Sequence, residues 1–191
     1  AELKEITVPA ETLRKYVGVY QLAPKVTNTV RLVDGQLTAQ LSGQAVYPLF
    51  AKSDHEFFLK VVEAREEFVT DASGRVTHFL LHQNGRIQQG PRISDTVVER
   101  VAITLPRTVL EKYVGTYELR RGFDLVITLE GDQLMSQATG QAGAPLFAET
   151  ETRFFLKVVD ARIEFFRDDS GAVTHLELHQ GPAEVKGMRK P

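Results

Sequence analysis

The sequence predicts an all-β protein made of two consecutive eight-stranded, up-and-down antiparallel barrels, each preceded by one short helix. Three observations predict it: an internal repeat, an alternation of apolar and polar residues, and short turn-like separators. When the 191-residue sequence is shifted by 97 positions, 43 of the 94 overlapping residues are identical and no gap is needed. A repeat of this kind sets the size of the folding unit. We therefore predict two domains, residues 1–95 and residues 96–191.

A short helix is predicted at the start of each repeat. Pro9 and Gly18 frame residues 10–17 of the first repeat, and Pro106 and Gly115 frame the copy. Proline is favoured at the start of a helix and glycine just past its end.

After Gly18 the pattern alternates with the period of a half-buried strand. Separators such as Asp34-Gly35 and Asn84-Gly85 favour tight hairpins, so neighbouring strands run antiparallel. Closing such a meander into a barrel removes its exposed edges, and eight strands enclose packed side chains or one small ligand. The strands predicted in the first repeat are 18–24, 27–33, 36–42, 45–52, 56–62, 65–70, 75–83 and 86–93.

One face of these strands is predicted to point into the barrel, with Val61 and Val158 among its apolar residues. This face is either a close-packed core or the lining of a lumen for a small apolar ligand. Tyrosine and arginine residues near the strand ends are candidate polar groups at the mouth of the lumen. The predicted lumen residues are Tyr20, Phe57, Leu59, Phe68, Phe79 and Arg92 in the first repeat, and Tyr117, Phe154, Leu156, Phe165, Leu176 and Arg189 in the second.

A row of charged residues is predicted on the outer face. A two-residue turn at Glu63-Ala64 would place Lys60, Glu67 and His78 side by side. Such a row is either a ladder of surface ion pairs, worth about 0.2–1 kcal/mol per pair, or an acid–base set. The ladder is the favoured interpretation. The copy of the row is Lys157, Glu164 and His175, and the same register places Arg162 opposite Glu177.

Composition and motifs exclude several classes of function. The formal charge is −2 and cysteine is absent, and no cluster of Lys and Arg suits a nucleic-acid backbone. No apolar run approaches the ~20 residues that span a bilayer. His78 and His82 are four residues apart on a strand, about 13 Å at ~3.3 Å per residue, which is too far to share one metal ion. Because no nucleophile motif is present either, we predict no catalytic residue, no metal and no cofactor.

Several spaced motifs are shared with a known family. They are residues 113–119, 131–134, 145–147 and 154–161 of the second repeat, with residues 76–78 and 82–86 of the first. These motifs resemble an uncharacterised bacterial domain family whose members are often found C-terminal to serine hydrolases of the β-lactamase and penicillin-binding class. The resemblance implies a lipocalin-like barrel that serves as an accessory module, with the catalytic serine in a neighbouring domain and a periplasmic or secreted location.

Three functions stay open at this point. The first is a non-catalytic binding or interaction module whose partner is a catalytic hydrolase domain. The second is a free-standing carrier of a small apolar ligand, which requires a cavity inside the barrel. The third is an enzyme that uses the Lys60, Glu67 and His78 row, which requires the row to face a cleft and to have shifted pKa values.

Overall fold

A computed structural model describes residues 4–191 and shows an all-β protein, as predicted. The chain divides into two compact units between Val98 and Glu99. Each unit consists of antiparallel strands connected in chain order, with one short helical segment before the first strand.

The first unit begins with helix α1 (Ala10–Arg14), which is shorter than the predicted 10–17. Its carboxyl end is extended by single turns, in which the Tyr16 and Val17 amides donate to the carbonyls of Leu13 and Arg14. The strands that follow are β1 (Gly18–Ala23), β2 (Val26–Val33), β3 (Gln36–Leu41), β4 (Tyr47–Pro48), β5 (Phe50–Ala51), β6 (Glu56–Phe58), β7 (Ala64–Thr70), β8 (Val76–Gln83) and β9 (Arg86–Ser94).

The second unit repeats this plan. Helix α2 (Arg107–Leu110) continues into a 3₁₀ turn (Glu111–Tyr113). The strands are β10 (Gly115–Arg120), β11 (Phe123–Glu130), β12 (Gln133–Ala138), β13 (Ala144–Ala148), β14 (Arg153–Phe155), β15 (Ala161–Arg167), β16 (Val173–Gln180) and β17 (Ala183–Arg189).

Both units have the predicted barrel topology. In the second, β10 to β17 form a closed barrel in chain order, with β10 paired to β17. In the first, the sheet order is β4-β3-β2-β1-β9-β8-β7-β6-β5. Its two edge strands, β4 and β5, are separated only by Leu49, whose amide still donates to the Leu37 carbonyl at 2.8 Å. They are therefore one interrupted strand, the counterpart of β13, and the nine short strands correspond to the eight predicted ones.

The register of β6 on β7 differs from the predicted one. Five residues, 59–63, connect these strands in place of the expected two-residue turn, and Phe58 faces Arg65. The Leu59 amide donates to the Ala64 carbonyl at 3.1 Å, which closes this longer loop. Because the shift is an even number of residues, the predicted inner face is kept. Val61 and Val158 are exceptions, since they lie in the loops and are 64% and 58% exposed.

Each core is a cluster of aromatic rings around two tyrosines. Tyr16 stacks on Phe68 with ring centroids 4.5 Å apart, and Tyr20 meets Phe79 edge-on at 5.4 Å. In the second unit Tyr113 stacks on Phe165 at 4.3 Å. Offset and edge-to-face pairs of this kind add about 0.5–1.5 kcal/mol each beyond the area they bury.

The last strand of the first barrel approaches the core closely at Gly90, which faces Phe79. A Cβ atom on Gly90 would lie 2.2 Å from Phe79 Cε1, and Phe79 is fully buried. At the matching Gly187, a Cβ atom would lie 2.8 Å from Cδ2 of the half-buried Leu119.

We expect Gly90→Ala to lower the free energy of unfolding by about 1–3 kcal/mol, the usual cost of overpacking a core. Gly187→Ala should cost less, because the end of a leucine side chain can move. Urea unfolding followed through amide resonances of each barrel measures both. Equal losses for the two variants would contradict this account.

Candidate functional site

The predicted lumen residues lie where expected but leave little room at the centre of either barrel. Phe57, Phe68 and Phe79 are at most 2% exposed, and so are Phe154, Phe165 and Leu176 in the copy. Leu59 and Leu156 are half-buried at the edge of these cores. The centre of each barrel is therefore a ring-packed core, and a ligand-binding role for these residues stays a prediction.

In the tyrosine–arginine pairs the tyrosines are fully buried and the arginines are half-buried on the last strands. Tyr20 is fully buried, and its hydroxyl donates to the Tyr16 carbonyl at 2.8 Å. Arg92, which faces Tyr20 from the last strand, donates to the Val17 carbonyl. Their copies do the same: Tyr117 donates to Tyr113 and Arg189 to Val114, at 2.8 and 2.6 Å. These residues connect the ends of the barrel to the helical turn.

The predicted row of Lys60, Glu67 and His78 is not formed. The five-residue loop moves Lys60 away, so that its Nζ lies 2.8 Å from Glu5 Oε2. Glu67 is instead 3.1 Å from His82 Nε2.

In the copy, Arg162 faces His179 and not Glu177, so that expected pair is also wrong. The outer face therefore carries scattered ion pairs, each worth little at the surface.

A serine, a histidine and an aspartate meet at the turn before β6. Ser53 Oγ lies 3.4 Å and Asp54 Oδ1 2.6 Å from the same nitrogen, Nδ1 of His55. A catalytic triad uses the two ring nitrogens separately, one for the serine and one for the aspartate. The geometry is that of a polar turn with exposed side chains.

Glu177, His179 and Glu184 form a second polar cluster on the outer face of β16 and β17. The two carboxylates lie 3.9 and 3.8 Å from different nitrogens of His179. Lys186 faces Glu177 across the sheet. The cluster is therefore a histidine that lies between two partly exposed carboxylates, with a lysine next to one of them.

The interior of the first barrel contains a polar pair that the sequence analysis missed. Asn28 on β2 and Glu66 on β7 are 0% and 3% exposed, and Asn28 Nδ2 donates to Glu66 Oε1 at 2.9 Å. The other two oxygens, Asn28 Oδ1 and Glu66 Oε2, are buried without a hydrogen-bond partner among the described residues. Such atoms cost about 1–3 kcal/mol each when left unpaired.

The repeat itself carried the signal that could have revealed this pair. The residues of the second repeat that align with Asn28 and Glu66 are Leu125 and Ile163, both buried in the apolar core. When the inward-facing residues of the two repeats are aligned, a polar residue of the first replaces an apolar residue of the second on two different strands.

Burial changes the acid–base behaviour of Glu66. Loss of hydration raises the pKa of this carboxyl to about 7, and the hydrogen bond from Asn28 opposes the shift. The carboxyl therefore titrates near neutral pH, while a solvent-exposed glutamate stays ionised there.

We call the barrel end nearest this pair the open end, because one inward-facing residue there is exposed. Gln88 occupies an inward position, facing Leu81, and yet is exposed. The neighbouring β8–β9 hairpin and the loop before β7 line a cleft of about 610 Å³, with Leu59, Ala64, Gln83 and Arg86 among its lining residues but not Asn28, Glu66 or Gln88. A volume of this size is typical of small-molecule sites. The candidate site is thus the open end of the first barrel, with Asn28 and Glu66 beneath it.

Fold and site together define a class of protein: two consecutive small antiparallel barrels, one with a polar interior end. The family described as "Domain of unknown function (DUF3471)" matches residues 2–92 and again residues 99–189. The chain belongs to this family and contains two copies of its domain.

Two further proteins show similarity. Penicillin-binding protein 4* of Bacillus subtilis (strain 168) is 32% identical over 81 residues, which cover 42% of this chain and 18% of that protein. This chain therefore spans less than a fifth of that relative. A crystal structure from Nostoc punctiforme, of a protein of unknown function from the DUF3598 family, aligns with 97% of this chain and 100% of that chain at 12% identity and a TM-score of 0.25. None of the helices within residues 4–191 has the length and apolar character needed to span a membrane.

We expect the stability of the first barrel to fall as pH rises from about 4.5 to about 7. The folded state has the higher pKa at Glu66, so it holds a proton that the unfolded chain has already released in this range. The linked loss is roughly 3 kcal/mol. Urea unfolding at a series of pH values measures it, and Glu66→Gln should remove most of the slope. A wild-type slope that survives in Glu66→Gln would contradict the assignment.

We also expect Asn28→Leu combined with Glu66→Ile to stabilise the first barrel at pH 7.5 by about 1–4 kcal/mol. The double variant copies the apolar pair of the second barrel and removes two buried polar groups together. Glu66→Ile alone should be less stable than the double variant, since it leaves Asn28 unpaired. Thermal or urea unfolding distinguishes them. A double variant less stable than the wild type would contradict the expectation.

Proposed function

We propose that this chain is a non-catalytic accessory module of a serine hydrolase of the penicillin-binding class, either as part of the same polypeptide or as its partner. The observation that carries the proposal is the match to penicillin-binding protein 4*. The 81 matched residues are close to the length of one barrel domain and make up 18% of that protein. In that relative, a stretch of barrel size is therefore one part of a longer polypeptide.

The geometry of the polar residues supports a non-catalytic role. Ser53 and Asp54 contact one nitrogen of His55, and Lys60 and Glu67 have different partners. Nucleophilic catalysis requires a base placed on the nucleophile and oriented by a third group. Neither set of residues has that arrangement.

A carrier of small apolar ligands ranks second. The observation in its favour is the open end of the first barrel with its adjacent cleft. Against it, the ring centroids that fill the centre of this barrel lie 4.5 to 6.3 Å apart, which is contact distance.

Fluorescent penicillin tests the proposal, because it acylates the active serine of penicillin-binding enzymes. We expect the isolated chain to remain unlabelled. An antibody raised against the chain should recover a penicillin-labelled polypeptide from labelled cells of the source organism, and excess unlabelled penicillin should abolish that band.

Covalent labelling of the isolated chain would contradict the non-catalytic role. Recovery of the chain without any labelled polypeptide would contradict the association with this class of hydrolase.

A further inference from the structure

The two barrels share one backbone plan but differ at three inward positions near the open end. The first barrel has Asn28, Glu66 and Gln88, where the second has Leu125, Ile163 and Val185. The registers are the same in both: Tyr20 faces Asn28 as Tyr117 faces Leu125, Phe57 faces Glu66 as Phe154 faces Ile163, and Leu81 faces Gln88 as Leu178 faces Val185.

The fold therefore does not need polar groups at these positions. The second barrel packs two of them, Leu125 and Ile163, into its apolar core. Burying a carboxyl and an amide with incomplete hydrogen bonding opposes folding. A cost of this kind is typical of a site that another molecule completes.

The unpaired atoms define the chemistry of that molecule. Asn28 Oδ1 and Glu66 Oε2 are both acceptors when the carboxyl is ionised, so the missing partner is a donor. No ion pair joins a cationic side chain of residues 4–191 to Glu66. The titratable group that interacts with it from β1 is Tyr20, whose hydroxyl is committed to the Tyr16 carbonyl.

The other faces around Glu66 carry no charge. Phe57 faces it from β6, Leu81 from β8 and Asn28 from β2. Arg92 on β9 lies over the Tyr20 ring and is held on the Val17 carbonyl. A cationic donor from outside the chain would thus supply both the hydrogen bonds and the charge that the carboxylate lacks.

The approach to the pair is partly apolar. Leu22 and Leu59 are half-buried on the inner face, and Gln88 is exposed at the mouth. Three of the four basic side chains at the adjacent cleft are engaged: Lys52 and Arg65 both bond Glu56, and His82 bonds Glu67. The fourth, Arg86, is exposed to solvent, where its charge is screened.

We propose that the open end of the first barrel binds a small primary ammonium ligand. Its ammonium group is held by Glu66 Oε2 and Asn28 Oδ1, and its aliphatic part lies against Leu22, Leu59 and Leu81. The site depends on the buried pair and is independent of the proposed association with a serine hydrolase.

Titration of the full chain with n-butylammonium at pH 8, followed by ¹H–¹⁵N amide spectra, tests the site. We expect shifts around residues 28, 66 and 88 and none around 125, 163 and 185, which form an internal control. The matched probes n-butanol and n-butyrate should leave the spectrum unchanged. Binding should weaken at pH 5, where Glu66 takes up a proton.

Two variants complete the test. Glu66→Gln keeps the shape of the side chain and should weaken binding by about 10- to 100-fold, as expected for the loss of a charge-assisted hydrogen bond. The triple variant Asn28→Leu, Glu66→Ile and Gln88→Val reproduces the second barrel and should fold and not bind.

Absence of shifts near residues 28, 66 and 88 at millimolar n-butylammonium would overturn the proposal. So would unchanged affinity in Glu66→Gln, equal shifts with n-butanol, or equal shifts in the second barrel. Apart from the affinity of Glu66→Gln, these outcomes are read on the wild-type protein, so the proposal can be overturned even if a variant fails to fold.

Discussion

Each barrel depends on a pair of tyrosines that connects the helical turn to the first strand and to a turn between two later strands. The Tyr16 hydroxyl donates a hydrogen bond to the Asp54 carbonyl, and the Tyr20 hydroxyl donates one to the Tyr16 carbonyl. In the second unit Tyr113 and Tyr117 make the two corresponding bonds. Burial raises the pKa of the Tyr16 hydroxyl to about 12, so it remains a donor at any physiological pH. Because the rings also stack in the core, one pair of side chains closes the barrel end and fills its interior.

This closure leaves the opposite end free to vary. Leu13, residues 15–18, Tyr20 and the arginine on the last strand are identical in both units, while Asn28, Glu66 and Gln88 differ from their counterparts. The apolar clusters beneath them are retained almost residue for residue. A scaffold stabilised at one end can tolerate buried polar groups at the other, since the loss of about 1–3 kcal/mol per unpaired group is borne by the rest of the core.

The barrel topology and its inner face could be predicted because alternation and turn residues report on local geometry. Asn84 and Gly85 adopt the positive φ values of 51° and 71° that an Asn-Gly hairpin requires, and β8 and β9 pair around them. The β6–β7 register could not be predicted, because nothing local marks the Val61 and Val62 segment as a loop. That loop moves Lys60 away from Glu67, and the irregular pairing of β7 with β8 sets His78 opposite Val69, so the predicted row was wrong.

The sequence by itself determined the repeat, the strand order and which face of each strand turns inward, since all three follow from periodicity along the chain. Only the tertiary structure decided which inward residues meet. Asn28 and Glu66 are 38 positions apart, and their hydrogen bond exists because β2 and β7 face each other across a closed barrel. Burial, the pKa of Glu66 and the unpaired oxygens all arise from that closure, which brings distant strands together and excludes water between them.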